Sequence, residues 1–84
     1  MGTKENPGAF DCYANAEPDE PMFVLLARDH RAPTLVRAWA ETHRAERIAA
    51  WDGSAESYPY GVTDKEAEAL TCANAMEVWR DNHR

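Results

Sequence analysis

No apolar run in this chain exceeds the six residues from Met22 to Ala27, far short of the ~20 that a membrane-spanning helix needs. The opening residues are polar and punctuated by Gly2, Pro7 and Gly8, unlike the charged-then-apolar start of a secretory signal. Cysteine is scarce: Cys12 and Cys72 stand far apart and form no Cys-x-x-Cys pair. We therefore expect reduced thiols and a cytoplasmic address. His30, His43 and His83 also lack the paired spacing of structural zinc ligands. The four glycines, at 2, 8, 53 and 61, are isolated, which excludes a glycine-rich phosphate loop. Neither a metal nor a cofactor is expected.

Catalytic signals are equally thin. Asp29-His30 follows the apolar run, but a working base also needs a nucleophile or an activated water and an orienting group. No recognisable spacing supplies them, and a turn-forming aspartate beside an exposed histidine accounts for the pair. Glu17, Asp19 and Glu20 lie in a proline-containing loop, where no cleft holds two carboxylates at the fixed separation that glycoside chemistry requires. We expect a protein that is not an enzyme.

What the chain does have is acid. Its 84 residues make one small domain with a formal charge of −6, and a chain of this length buries a modest share of its surface. The charge is banded. Residues 1–27 set Lys4 against five acids, residues 28–47 set five arginines against three acids, and residues 48–84 set three bases against seven acids. A general nucleic-acid binder would need a basic face, so direct nucleic-acid binding is not expected.

The pattern predicts an α+β fold, helix-rich, with the order β-β-α-α. Residues 1–8 read as a flexible arm. Phe10–Tyr13 is compatible with a short strand, and Met22–Arg28, bounded by Pro21 and Asp29, is the clearer one. The two make a short hairpin, or the second stands as a single strand; its unbroken apolarity suggests cover on both faces. A helix over 33–46 begins near Pro33, where proline suits the first turn. Leu35, Val36, Ala38, Trp39, Thr42 and His43 share one face, with Arg37, Glu41 and Arg44 on the other. The stripe loses phase at Ile48 and Trp51, so this helix bends or ends near Ala45, or else exposes an apolar edge. A second helix over 64–81 starts from a capping box, Thr63-Asp64-Lys65-Glu66. Its apolar face, Ala69, Leu70, Cys72, Ala73, Met76 and Trp79, is expected to pack on the Trp39 side of the first helix. Trp39 and Trp79 are accordingly read as core. A core this small favours help from a partner subunit, and a homodimer is a possible outcome.

Candidate binding residues fall into three groups. Glu17, Asp19 and Glu20 form an acidic loop suited to a basic partner surface. Arg28, Arg31 and Arg37 cluster in sequence and suit an anion. Trp51, Tyr58 and Tyr60 have the composition of an interface hot spot or of a stacking surface for a base, with packing over the core as the alternative for Trp51.

The stretch Glu20-Pro-Met-Phe-Val-Leu-Leu-Ala-Arg-Asp29, then Ala32-Pro33, Val36-Arg-Ala-Trp-Ala40 and Ala75-Met-Glu-Val-Trp79, resembles a pattern in small acidic proteins of bacteriophages and prophages. The resemblance covers roughly residues 17–44 and 66–80. Some proteins of this type are anti-defence factors, including anti-CRISPRs that bind a type I interference complex. It therefore implies a non-enzymatic inhibitor in the bacterial cytoplasm whose partner is a host defence protein complex. The alternatives are a module that sequesters a nucleotide immune signal through its arginines, and a phage regulatory or structural subunit. The shared positions read as strand and helix core, so the resemblance assigns no site residue, and the Asp52–Thr63 connector lies outside it.

Overall fold

Asp11, next to Cys12, sets the first local structure. Its Oδ1 accepts from the backbone N–H of Tyr13 at 3.1 Å and of Ala14 at 3.4 Å, which caps one helical turn, α1, Cys12–Asn15. In this computed structural model, which describes residues 1–53 and 61–83, two long helices follow, α2 over Ala32–Ala49 and α3 over Asp64–Asn82. No strand occurs among the described residues, so the expected β-β-α-α order is corrected to three helices. Phe10–Tyr13 cannot supply a ladder, because Asp11 turns it into α1. Residues 20–26 then have no strand to pair with and stay irregular.

Entry into α2 is built by Asp29. Its N–H donates to the Leu26 carbonyl at 3.0 Å and its own carbonyl accepts from Ala32 at 3.0 Å. Its Oδ1 accepts from the Arg31 N–H at 3.0 Å, an Asx turn that aims the chain into the helix. Hydrogen bonds from the Arg31 backbone and then from its side chain hold the Asp29 carboxyl below the ordinary carboxylate range. Pro33 sits in the first turn, as expected. The helix runs past Ala45 to Ala49, and Ile48 is half-buried rather than stranded on a polar side.

The capping box predicted at Thr63 is present. Thr63 Oγ1 accepts from the Glu66 N–H at 3.2 Å, and Glu66 Oε1 accepts from the Thr63 N–H at 3.1 Å.

α2 and α3 pack on each other through small residues. Ala32, Pro33 and Ala40 are buried from α2, and Ala69 and Ala73 from α3. The bulky side chains expected in the core lie at its margins or outside it. Leu35, Trp39 and Trp79 are exposed, whereas Val36, Leu70 and Met76 are half-buried. Two corrections follow. The buried side of α2 is rotated from the Leu35–Trp39 side toward Val36, Arg37, Ala40 and Arg44, and Trp39 and Trp79 are not core. Alanines let two helices approach closely, and α3 presents acids that the α2 arginines can meet. Among the described residues, two long helices supply no third layer to cover the large residues.

The first ten residues fold back against α3. Glu68 accepts from the Ala9 N–H at 2.8 Å through Oε1 and from the Phe10 N–H at 3.1 Å through Oε2. The Met1 ammonium donates to the Phe10 carbonyl at 2.5 Å. Gly8 makes the approach possible: its φ is +82°, and a Cβ there would fall 2.0 Å from Glu68 Oε1 and 2.2 Å from the Met1 carbonyl oxygen. The molecule extends 47 × 32 × 20 Å with a radius of gyration of 14.7 Å, against about 12 Å for a tightly folded chain of this length. No helix among the described residues is long and apolar enough to cross a membrane.

Candidate functional site

The densest polar cluster centres on Glu66, whose side chain is 1% exposed. Three positions one helical turn apart on α2, Trp39, His43 and Arg47, line up over it. Arg47 Nε donates to Glu66 Oε2 at 2.8 Å and Nη2 donates to Oε1 at 2.7 Å. The same Nη2 reaches the Gly61 carbonyl at 2.9 Å. His43 Nδ1 lies 2.5 Å from Glu66 Oε2; an ionised carboxylate only accepts, so Nδ1 is the donor. The Arg47 hydrogen bonds, then those from His43 and the Thr63 N–H, hold the Glu66 carboxyl far below its usual range against the opposing effect of burial. The same pairing raises the already high Arg47 pKa. A carboxylate held that low is a weak base. Its role is to orient His43 and Arg47 and to tie α2 to the start of α3.

Above this anchor sits an aromatic stack. The Trp39 and His43 rings are stacked, with centroids 5.0 Å apart and planes 27° apart. Lys65 Nζ stands 5.7 Å from the Trp39 ring centre, within cation–π range. Trp39 is nevertheless 41% exposed, so a large aromatic surface faces solvent in a fixed orientation. At the far end of α3, Trp79 stacks on His83 with centroids 3.9 Å apart, and the His83 Nδ1 meets the Trp79 carbonyl at 2.7 Å.

The residues singled out in the sequence are dispersed. Glu17, Asp19 and Glu20 are exposed in the loop after α1. Glu17 and Glu20 are brought together: the Glu17 N–H donates to Glu20 Oε1 at 3.0 Å and the Glu20 N–H to the Glu17 carbonyl at 3.1 Å. The three arginines have separate surroundings. Arg31 Nε pairs with Asp29 Oδ1 at 3.0 Å. Arg37 reaches across to α3, donating to Asn74 Oδ1 at 2.8 Å and forming an ion pair with Glu77. Arg28 is exposed. Trp51, half-buried, donates its N–H to the Ile48 carbonyl at 3.2 Å just past α2. Tyr58 and Tyr60 lie outside the described residues.

Sequence reasoning missed the Glu66 cluster and the outward face of Trp39. The signal was present: Trp39, His43 and Arg47 recur every fourth residue. Glu66 had also been identified, but only as half of a cap. Comparison with protein-family models, curated proteins and solved structures finds no match for this chain.

Proposed function

We propose that this protein acts by binding and blocking a surface of another protein, without chemistry of its own. The observation that carries the reading is Trp39, 41% exposed, stacked on His43 and in cation–π range of Lys65 above the Glu66 anchor. A tryptophan fixed before contact loses little side-chain entropy on binding, and such residues dominate interface energetics. The net charge of −6 and the exposed Glu17, Asp19 and Glu20 suit a partner with a basic surface, such as a nucleic-acid channel. Taken with the resemblance to phage proteins, the partner we favour is a bacterial type I CRISPR interference complex, with the protein an anti-defence inhibitor. The nucleotide-sequestering alternative draws less support, because Arg31 and Arg37 are already engaged by acids.

The test is binding to an immobilised purified type I interference complex at low and at high salt. Binding should weaken as salt rises. Trp39→Ala should raise the dissociation rate about 30-fold. Glu17→Lys with Asp19→Lys should slow association about tenfold and leave dissociation nearly unchanged. If the wild-type chain neither binds the complex nor displaces its nucleic acid, the reading is wrong.

A further inference from the structure

The segment Glu20–Arg28 leaves much of itself unused within the chain. Phe23 is 87% exposed and Val24 68%, and Met22 and Leu26 are exposed as well. Among the described residues, the backbone N–H and C=O groups from Met22 to Leu25 have no hydrogen-bond partner. An open depression of about 390 Å³, lined by Cys12, Tyr13, Pro21, Met22, Phe23 and Val24 among others, lies alongside. The apolar stretch is bracketed by one acid, Glu20, and one base, Arg28. Arg28 makes no ion pair among the described residues, and Glu20 commits one carboxylate oxygen to the Glu17 N–H.

We infer that this segment is a self-recognition strip, through which two copies of the chain pair antiparallel with Val24 opposite the second copy's Val24. Charge selects that arrangement. In this register alone Glu20 of each copy faces Arg28 of the other, while Met22 faces Leu26 and Phe23 faces Leu25. A parallel pairing would set Glu20 beside Glu20 and Arg28 beside Arg28, and like charges side by side oppose association. An antiparallel shift to a centre on Phe23 or Leu25 would leave both charges facing other residues.

Proline selects the hydrogen-bonding phase. Residues directly opposite one another alternate between pairs that exchange both backbone hydrogen bonds and pairs that exchange none. Pro21 has no N–H, so it must occupy a non-bonded position. The bonded positions are then Met22, Val24 and Leu26, whose side chains point to one face together with those of Glu20 and Arg28; the Glu20 N–H stays with the Glu17 carbonyl, and the Leu26 carbonyl, which also accepts from Asp29, ends the ladder. That face carries three apolar pairs closed at each end by an ion pair. The ladder exists only between copies; the isolated chain is irregular here, so pairing and ordering occur together. The interface is separate from Trp39, shares only Glu20 with the acidic loop, and does not rest on the function proposed above.

Sedimentation of the full chain alone, under reducing conditions and across micromolar to millimolar concentration, tests the inference. The wild type should dimerise reversibly. Glu20→Arg and Arg28→Glu should each raise the dimer Kd about tenfold at low salt, and the double reversal should bring it back to within about threefold of wild type. Both positions lie outside α2 and α3, so unchanged helical circular dichroism will show that folding is intact. A chain that stays monomeric throughout, or a double reversal that only adds the losses of the singles, overturns the proposal.

Discussion

Arg47 grips Glu66 edge-on, its Nε and Nη2 each 2.7–2.8 Å from a different carboxylate oxygen. This is the planar two-point contact that guanidinium makes and ammonium does not. Arg47→Lys keeps the charge but loses the fork and the Nη2 contact to Gly61. We expect a thermal midpoint about 5 °C or more below wild type, on the scale of one lost structural interaction in a domain this small. A midpoint within about 1 °C of wild type would show that the fork contributes nothing beyond its charge.

Stability should fall with acid through Glu66. Its carboxyl titrates lower in the folded chain than in the unfolded one, where about 4.3 is usual. The stabilisation is therefore complete above that value and is lost as pH drops toward the folded one. Melting midpoints should be flat between about pH 7 and 5 and decline below about 4. Glu66→Gln should start lower and decline less, with a residual slope from Asp29, which is also held low. An unchanged acid limb in Glu66→Gln would rule Glu66 out as its source.

Thr63→Ala removes one half of the capping box. The expected cost is about 1 kcal/mol, read as a midpoint about 4–8 °C lower. Thr63→Ser keeps the hydroxyl and should stay near wild type.

Gly8→Ala should destabilise by about 2 kcal/mol, since a side chain is strained at φ +82° and meets Glu68. Part of that cost should disappear when Glu68 is already alanine, because the two positions share one contact. Denaturant melts of the single and double variants measure the coupling, and strict additivity would assign the cost to backbone strain and the Met1 carbonyl with no share from Glu68.

Ala73→Leu inserts bulk where two helices meet with no exposed surface to spare. Overpacking of this kind costs about 2 kcal/mol. Ala75→Leu, two residues on and exposed, is the control that should melt near wild type.

Both long helices were legible because their start signals are local chemistry. Pro33 opens one and the reciprocal Thr63–Glu66 pair opens the other, whatever the rest of the chain does. Strand formation is different, since a ladder needs a second segment. Met22–Ala27 has the composition of a buried strand, but Asp11 diverts the only neighbouring candidate into a helical turn. The helical spacing of apolar residues also misplaced the buried side of α2. It favoured Leu35 and Trp39, whereas the packing is decided by small Ala40, Ala69 and Ala73 and by α2 cations meeting α3 acids. The Arg37 contact with Glu77 and Asn74 spans distant parts of the sequence, and no local pattern announces it.

The alanine seam separates what keeps this chain folded from what it shows to others. Ala40, Ala69, Ala73 and Glu66 hold α2 and α3 together from within, while Phe23, Leu35, Trp39 and Trp79 are displayed outside that seam. Substitution at a displayed position opens no cavity between the alanines of the seam. Sequence change can therefore accumulate at the displayed positions while the seam stays constant.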